Sequence, residues 1–196
     1  MAMHSESNPV GRRTALRLLA GGLAVGAGSN VALAQPGSDG FVRQLNTIRT
    51  GTQRYRDVTV ALDDGYAPVL GYVSGMGFHL VRGDLIAPER GSGPVDGLEN
   101  PPILVYFTTG DYNPSPGDPL DEDRMGEMRI GGVEFAYVGD DGPDDYFADE
   151  SSSRKLRTTE EEGWEFVPPA GVTAIHVWVH RNNPKGVFHP TNPTID

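Results

Sequence analysis

Apolar positions along this chain change their spacing once, near Gly65. Phe41, Leu45, Ile48, Thr52, Tyr55, Val58 and Leu62 recur at steps of three and four, the period of a helix that buries one stripe. The spacing predicts an amphipathic helix over residues 39–63, with Ser38 or Asp39 as its cap and Gly65 as its stop. Beyond Gly65 come short runs rich in Val, Ile, Tyr and Phe, broken by Gly, Pro and Asp clusters, which is how strands joined by loops read. Strands are expected at 103–109, 130–138 and 172–180, with a shorter one within 67–73. No helical stretch of a dozen residues separates them, which argues against a doubly wound parallel sheet. The expected fold class is α+β: an N-terminal amphipathic helix followed by a mainly antiparallel sheet or a partly closed barrel. Residues 87–101, 111–127 and 139–165 read as long loops, the last two acidic.

The residues ahead of the helix read as a targeting segment. Arg12 and Arg13 are followed by an apolar, glycine-rich run from Leu18 to Leu33 and by Ala32-Leu33-Ala34. A twin-arginine pair, a weakly hydrophobic run and a small-x-small site, in that order, predict a Tat export signal over 1–34. The run is shorter and less apolar than the roughly 20 residues that a spanning helix needs. The remaining 35–196 is expected to form a single exported domain, soluble and with no integral membrane segment.

Charge and composition narrow the partners. The 196 residues carry 16 Lys and Arg against 27 Asp and Glu, a formal net charge of -11, which makes nucleic acid an improbable partner. Removal of 1–34 leaves 13 basic and 26 acidic residues. Two lysines stand against 14 arginines, and the aspartates scatter through loops, so the acidity reads as a solvated, salt-adapted surface rather than one acidic site. The absence of cysteine removes disulfides, thiolate metal sites and a cysteine nucleophile.

Candidate chemistry lies at the histidines and one carboxylate. Gly71-Tyr-Val-Ser-Gly-Met-Gly-Phe-His79 ends a glycine-rich turn, where a backbone bends sharply or approaches something closely. His176, Trp178 and His180 alternate along the last expected strand and so share one face, opposite Ile175, Val177 and Val179. Glu134 sits inside an otherwise uncharged strand, where a buried carboxylate is costly unless paired with a cation or a metal. Together His79, Glu134 and His176 are the candidate ligands for one divalent transition metal, zinc, iron or copper, because imidazole and carboxylate donors suit those ions. Met76, Phe78 and Trp178 are the expected pocket wall. His180, about 13 Å along a strand from His176 by strand rise, is expected at the rim as a further ligand or a proton shuttle. The competing account makes the histidines structural and leaves Glu134 facing solvent or paired with Arg129. No H-E-x-x-H, cupin-type or nucleophile-elbow spacing and no phosphate loop occurs. The turn-rich segment 182–193 reads as a tail covering the sheet edge, anchored by Phe188, with His189 and Asn192 at the pocket mouth as the functional alternative.

Several of these pieces occur in a familiar order. Gly75-Met-Gly-Phe-His79, Gly132-Val-Glu-Phe-Ala-Tyr137 and His176-Val-Trp-Val-His-Arg-Asn-Asn-Pro-Lys-Gly-Val-Phe188, then Asn192-Pro193, resemble the pattern of an uncharacterised family of small exported proteins. The resemblance spans nearly all of 45–193 and implies one secreted domain in which turn, Val-Glu strand and His-x-Trp strand belong together. It brings no activity with it. The expected function is an extracytoplasmic metal- or small-ligand-binding domain with a His/Glu/His pocket, a metalloenzyme in its stronger form. The alternatives are a non-catalytic cell-surface or matrix interaction domain using the His/Trp face as an aromatic platform, or a metal-free hydrolase of a polymer.

Overall fold

Asp57 divides the first expected helix. In the computed structural model, which describes residues 39–142 and 163–195, α1 runs Asp39–Thr52 and a 3-10 turn follows at Gln53–Arg56. Asp57 then leaves helical space (φ -95, ψ 114), and its Oδ1 accepts the Thr59 N–H at 3.0 Å, capping α2 at Val58–Asp63. A short aspartate side chain that competes for a nearby backbone N–H favours a new cap over a continuing helix. The apolar stripe survives the break: Phe41, Ile48, Tyr55, Val58 and Ala61 are all buried. The expected signal at 1–34 and most of the loop at 139–165 lie outside the described residues.

Among the described residues six strands follow: β1 (Ala67–Pro68), β2 (Phe78–Val81), β3 (Ile103–Thr108), β4 (Met128–Val138), β5 (Trp164–Val167) and β6 (Val172–Val177). They form one antiparallel sheet of order β1-β2-β3-β4-β6-β5. The sheet is open, so the α+β expectation holds in its sheet form and not as a partly closed barrel. The strand sought within 67–73 is reduced to Ala67–Pro68 and an isolated Val73–Gly77 bridge. Two strands go beyond the expected set, each only four residues long: β2, which follows the glycine-rich turn, and β5, which begins inside the loop expected at 139–165. Where β3 ends its pairing at Glu134, Ala87 takes over beside β4: its N–H donates to Ala136 O, and Val138 N–H donates to Ala87 O.

Alternation gives the sheet two faces of different kinds. One carries Leu80, Leu104, Tyr106, Val133, Phe135 and Ile175, all fully buried and packed with Ile48 and Tyr55 of the helical segment in the main core. The other carries two smaller apolar groups, Val81 with Ile103, Ala136 and Ala174, and Val105 with Phe107, Trp178 and Ile195. Among the described residues, no helix is long and apolar enough to cross a membrane.

Candidate metal centre

Strand register brings the three ionisable residues to the second face. Glu134 on β4 pairs with Ile103 on one side and His176 of β6 on the other. His79 on β2 pairs with Val105, two residues along β3 from Ile103, and so looks out on the same face. The turn before His79 depends on Gly77. Its φ is 93, its N–H and C=O both bond to Val73, and a Cβ there would lie 2.1 Å from Tyr106 O. Any side chain would push β2 off β3 and carry His79 away.

The three side chains converge. His79 Nε2 lies 2.8 Å and His176 Nε2 2.7 Å from the same oxygen, Oε1 of Glu134, and all three side chains are about nine-tenths buried or more. Donor atoms of all three lie within 4.8 Å of one another, close enough for one metal ion. Yet Glu134 Oε1 and His176 Nε2 have no aligned hydrogen-bonding partner among the described residues, and neither has His79 Nδ1. The atoms are near in distance but not aligned as donor and acceptor.

The electrostatics leave Glu134 charged. Burial by itself would push its carboxyl up, but the adjacent His176 and His79 outweigh that and hold it well below the usual carboxylate range. A buried carboxylate facing two imidazoles is the donor set that zinc, iron or copper accepts, with coordination positions left for other ligands. Arg129 does not pair with Glu134; its guanidinium donates to the carbonyls of Gly126 and Met128.

Trp178 backs the site. Its ring stacks on His176 at 5.7 Å with planes 16° apart, and its indole N–H donates to His189 O at 2.7 Å. Gly132 makes room for it, since a Cβ there would meet Trp178 Cε3 at 3.2 Å and Val177 O at 2.9 Å. Both rings are buried, so they offer no surface platform of the kind the interaction-domain reading needs. The tail fixes the opposite wall: Asn192 N–H donates to Gly75 O at 2.7 Å, and Asn192 itself is fully buried.

Comparison with family models, curated proteins and solved structures returns no match. The site therefore stands on its own geometry.

Against the expected residues, His79, Glu134 and His176 come together, and Met76 lines the cleft beside them. Phe78 does not. Adjacent to His79 in a strand, it points to the helix-bearing face and packs against Tyr72 at 5.3 Å and Tyr112 at 6.1 Å. His180 is likewise elsewhere. β6 stops at Val177, and Val179 N–H turns back to Val177 O, which breaks the alternation at Trp178. His180 Nε2 then meets Thr52 Oγ1 of α1 at 2.8 Å, while Arg49 Nε donates to Val179 O. His189 and Asn192 do not line the cleft, and Phe188 packs on Phe41 in the main core. The residue that sequence reasoning missed is Glu165 on β5, which lines the cleft. The alternation Trp164-Glu-Phe-Val167 was its available signal.

Proposed function

We propose that this protein holds one divalent transition metal ion at His79, Glu134 and His176 and presents its open coordination positions to the adjacent cleft. The observation that carries this reading is a single buried carboxylate oxygen within 2.8 Å of two imidazole nitrogens, without hydrogen-bond alignment. An ion there supplies Lewis-acid or redox chemistry to a small molecule in the cleft. The twin-arginine segment adds an exported, extracytoplasmic setting, consistent with the family of exported proteins that the sequence resembles. N-terminal sequencing of secreted protein tests that setting, with Gln35 the expected first residue.

Elemental analysis of protein purified without chelator is the direct test of the metal. The expected result is one equivalent of zinc, iron or copper per chain, absent from the His79→Ala/His176→Ala double variant. Because that variant also opens a cavity, Glu134→Gln serves as the isosteric control. Free metal at about a hundredfold over its Kd should stabilise the parent by about 2.7 kcal/mol and leave Glu134→Gln unmoved in a thermal melt. No uptake of any of the three metals by the parent would make the trio a structural group.

A further inference from the structure

The cleft above the trio differs in character from the trio itself. Leu70, Met76, Val81 and Ile103 stand on one side and Val167 with Ala174 on the other, around a space of about 490 Å³ that includes the open mouth. Such a surface offers water few partners and a short hydrocarbon many contacts. Among the described residues, its ionisable lining is limited to the trio and Glu165, and neither Lys nor Arg lines it.

Glu165 sits opposite Ala174 on β6, which puts it on the His176 face of the sheet, one diagonal step from that histidine. Glu165 is exposed, so its carboxylate stands at the open side of the cleft. Glu134 at the floor and Glu165 at the side thus give the cleft two carboxylates and, among the described residues, no Lys or Arg. With a divalent ion on the trio the charge of Glu134 is taken up by the metal, so Glu165 is the lining carboxylate left to repel an anionic head group.

We propose that the cleft binds a small, largely apolar molecule through one uncharged Lewis-basic head, an azole nitrogen in type, that faces the trio while its hydrocarbon lies against Leu70, Val81, Ile103 and Val167. This rests on the metal reading, since the ion is what the head group meets. Glu165 acts here as a specificity residue, selecting against carboxylate-headed ligands of the same length.

The test uses the cobalt(II)-loaded chain, titrated with N-alkylimidazoles from methyl to pentyl and with alkanoates of matching length, followed by the cobalt visible spectrum. Affinity for the imidazoles is expected to rise about fourfold per methylene until the cleft is filled. Alkanoates should bind at least about tenfold more weakly at equal length, and Glu165→Gln should narrow that gap. Leu70→Gln and Val167→Gln, both at half-buried positions, should flatten the chain-length trend while cobalt uptake stays intact. Affinity independent of chain length, or alkanoates binding as well as imidazoles, would overturn the ligand class and leave the metal site standing. Failure to take up cobalt in a folded parent, checked by circular dichroism, would overturn both.

Discussion

On the helix-bearing face of the sheet, Leu104, Tyr106, Phe135 and Ile175 meet Ile48 and Tyr55 in one continuous apolar core. On the other face, the same four central strands set His79, Glu134 and His176 between two small apolar groups. Both faces are buried, and both derive from one alternation of residues. The first gains its free energy from apolar area removed from water. The second buries a charged carboxylate, whose desolvation the two imidazoles offset and a metal ion held by all three would offset further. Stability and chemistry are therefore divided between the faces of one sheet, and substitutions should separate them.

The largest effect is expected on the core face. Phe135→Ala should cost about 3–5 kcal/mol in urea unfolding, while metal stoichiometry of the folded fraction stays at the parent value. Loss of metal from folded Phe135→Ala would show that the faces are coupled and not divided.

The acid branch comes next. His180, at the α1 side, is held down to about 4 by burial first and then by Arg49 and Arg56. Unfolded, its value returns to 6.5, so between those limits the unfolded chain binds a proton that the native one does not. The neutral imidazole's contribution is complete above pH 6.5 and falls as pH drops towards 4, by on the order of 3 kcal/mol across the window. His180→Gln should flatten that part of the stability-against-pH curve without changing metal content at pH 7.5 or so, well above the window. An unchanged acid slope would remove His180 as its source.

The smallest effect is behind the site. Trp178→Phe keeps an aromatic ring on His176 but leaves His189 O with only the longer Asn183 Nδ2 bond at 3.4 Å, a loss of about 1 kcal/mol. Metal affinity should change little, as read by competition with a chelator. A large loss of affinity would mean that the Trp178 hydrogen bond, and not ring packing, orients His176.

Much of the candidate site was legible before any coordinates. Glu134 stood out because a lone carboxylate in an apolar strand needs a partner, and the histidines were the partners available. Phe78 and His180 show where that reasoning fails. Phe78, an expected wall residue, is adjacent to His79, and adjacency in a strand means opposite faces. His180 was placed with His176 by strict alternation, which a backbone turn at Trp178 ends. Glu165 and the four-residue strands β2 and β5 were hidden because so short a run has too few periods to declare itself.

By itself, the sequence determined that a helical segment precedes the strands, the mainly antiparallel class and the identity of the three converging side chains, because periodicity and the cost of burying charge act locally. Tertiary structure decided the open sheet, the break at Asp57 and which residues line the cleft. Those depend on strand register and on chain reversals, where a shift of one residue sends every side chain to the other face.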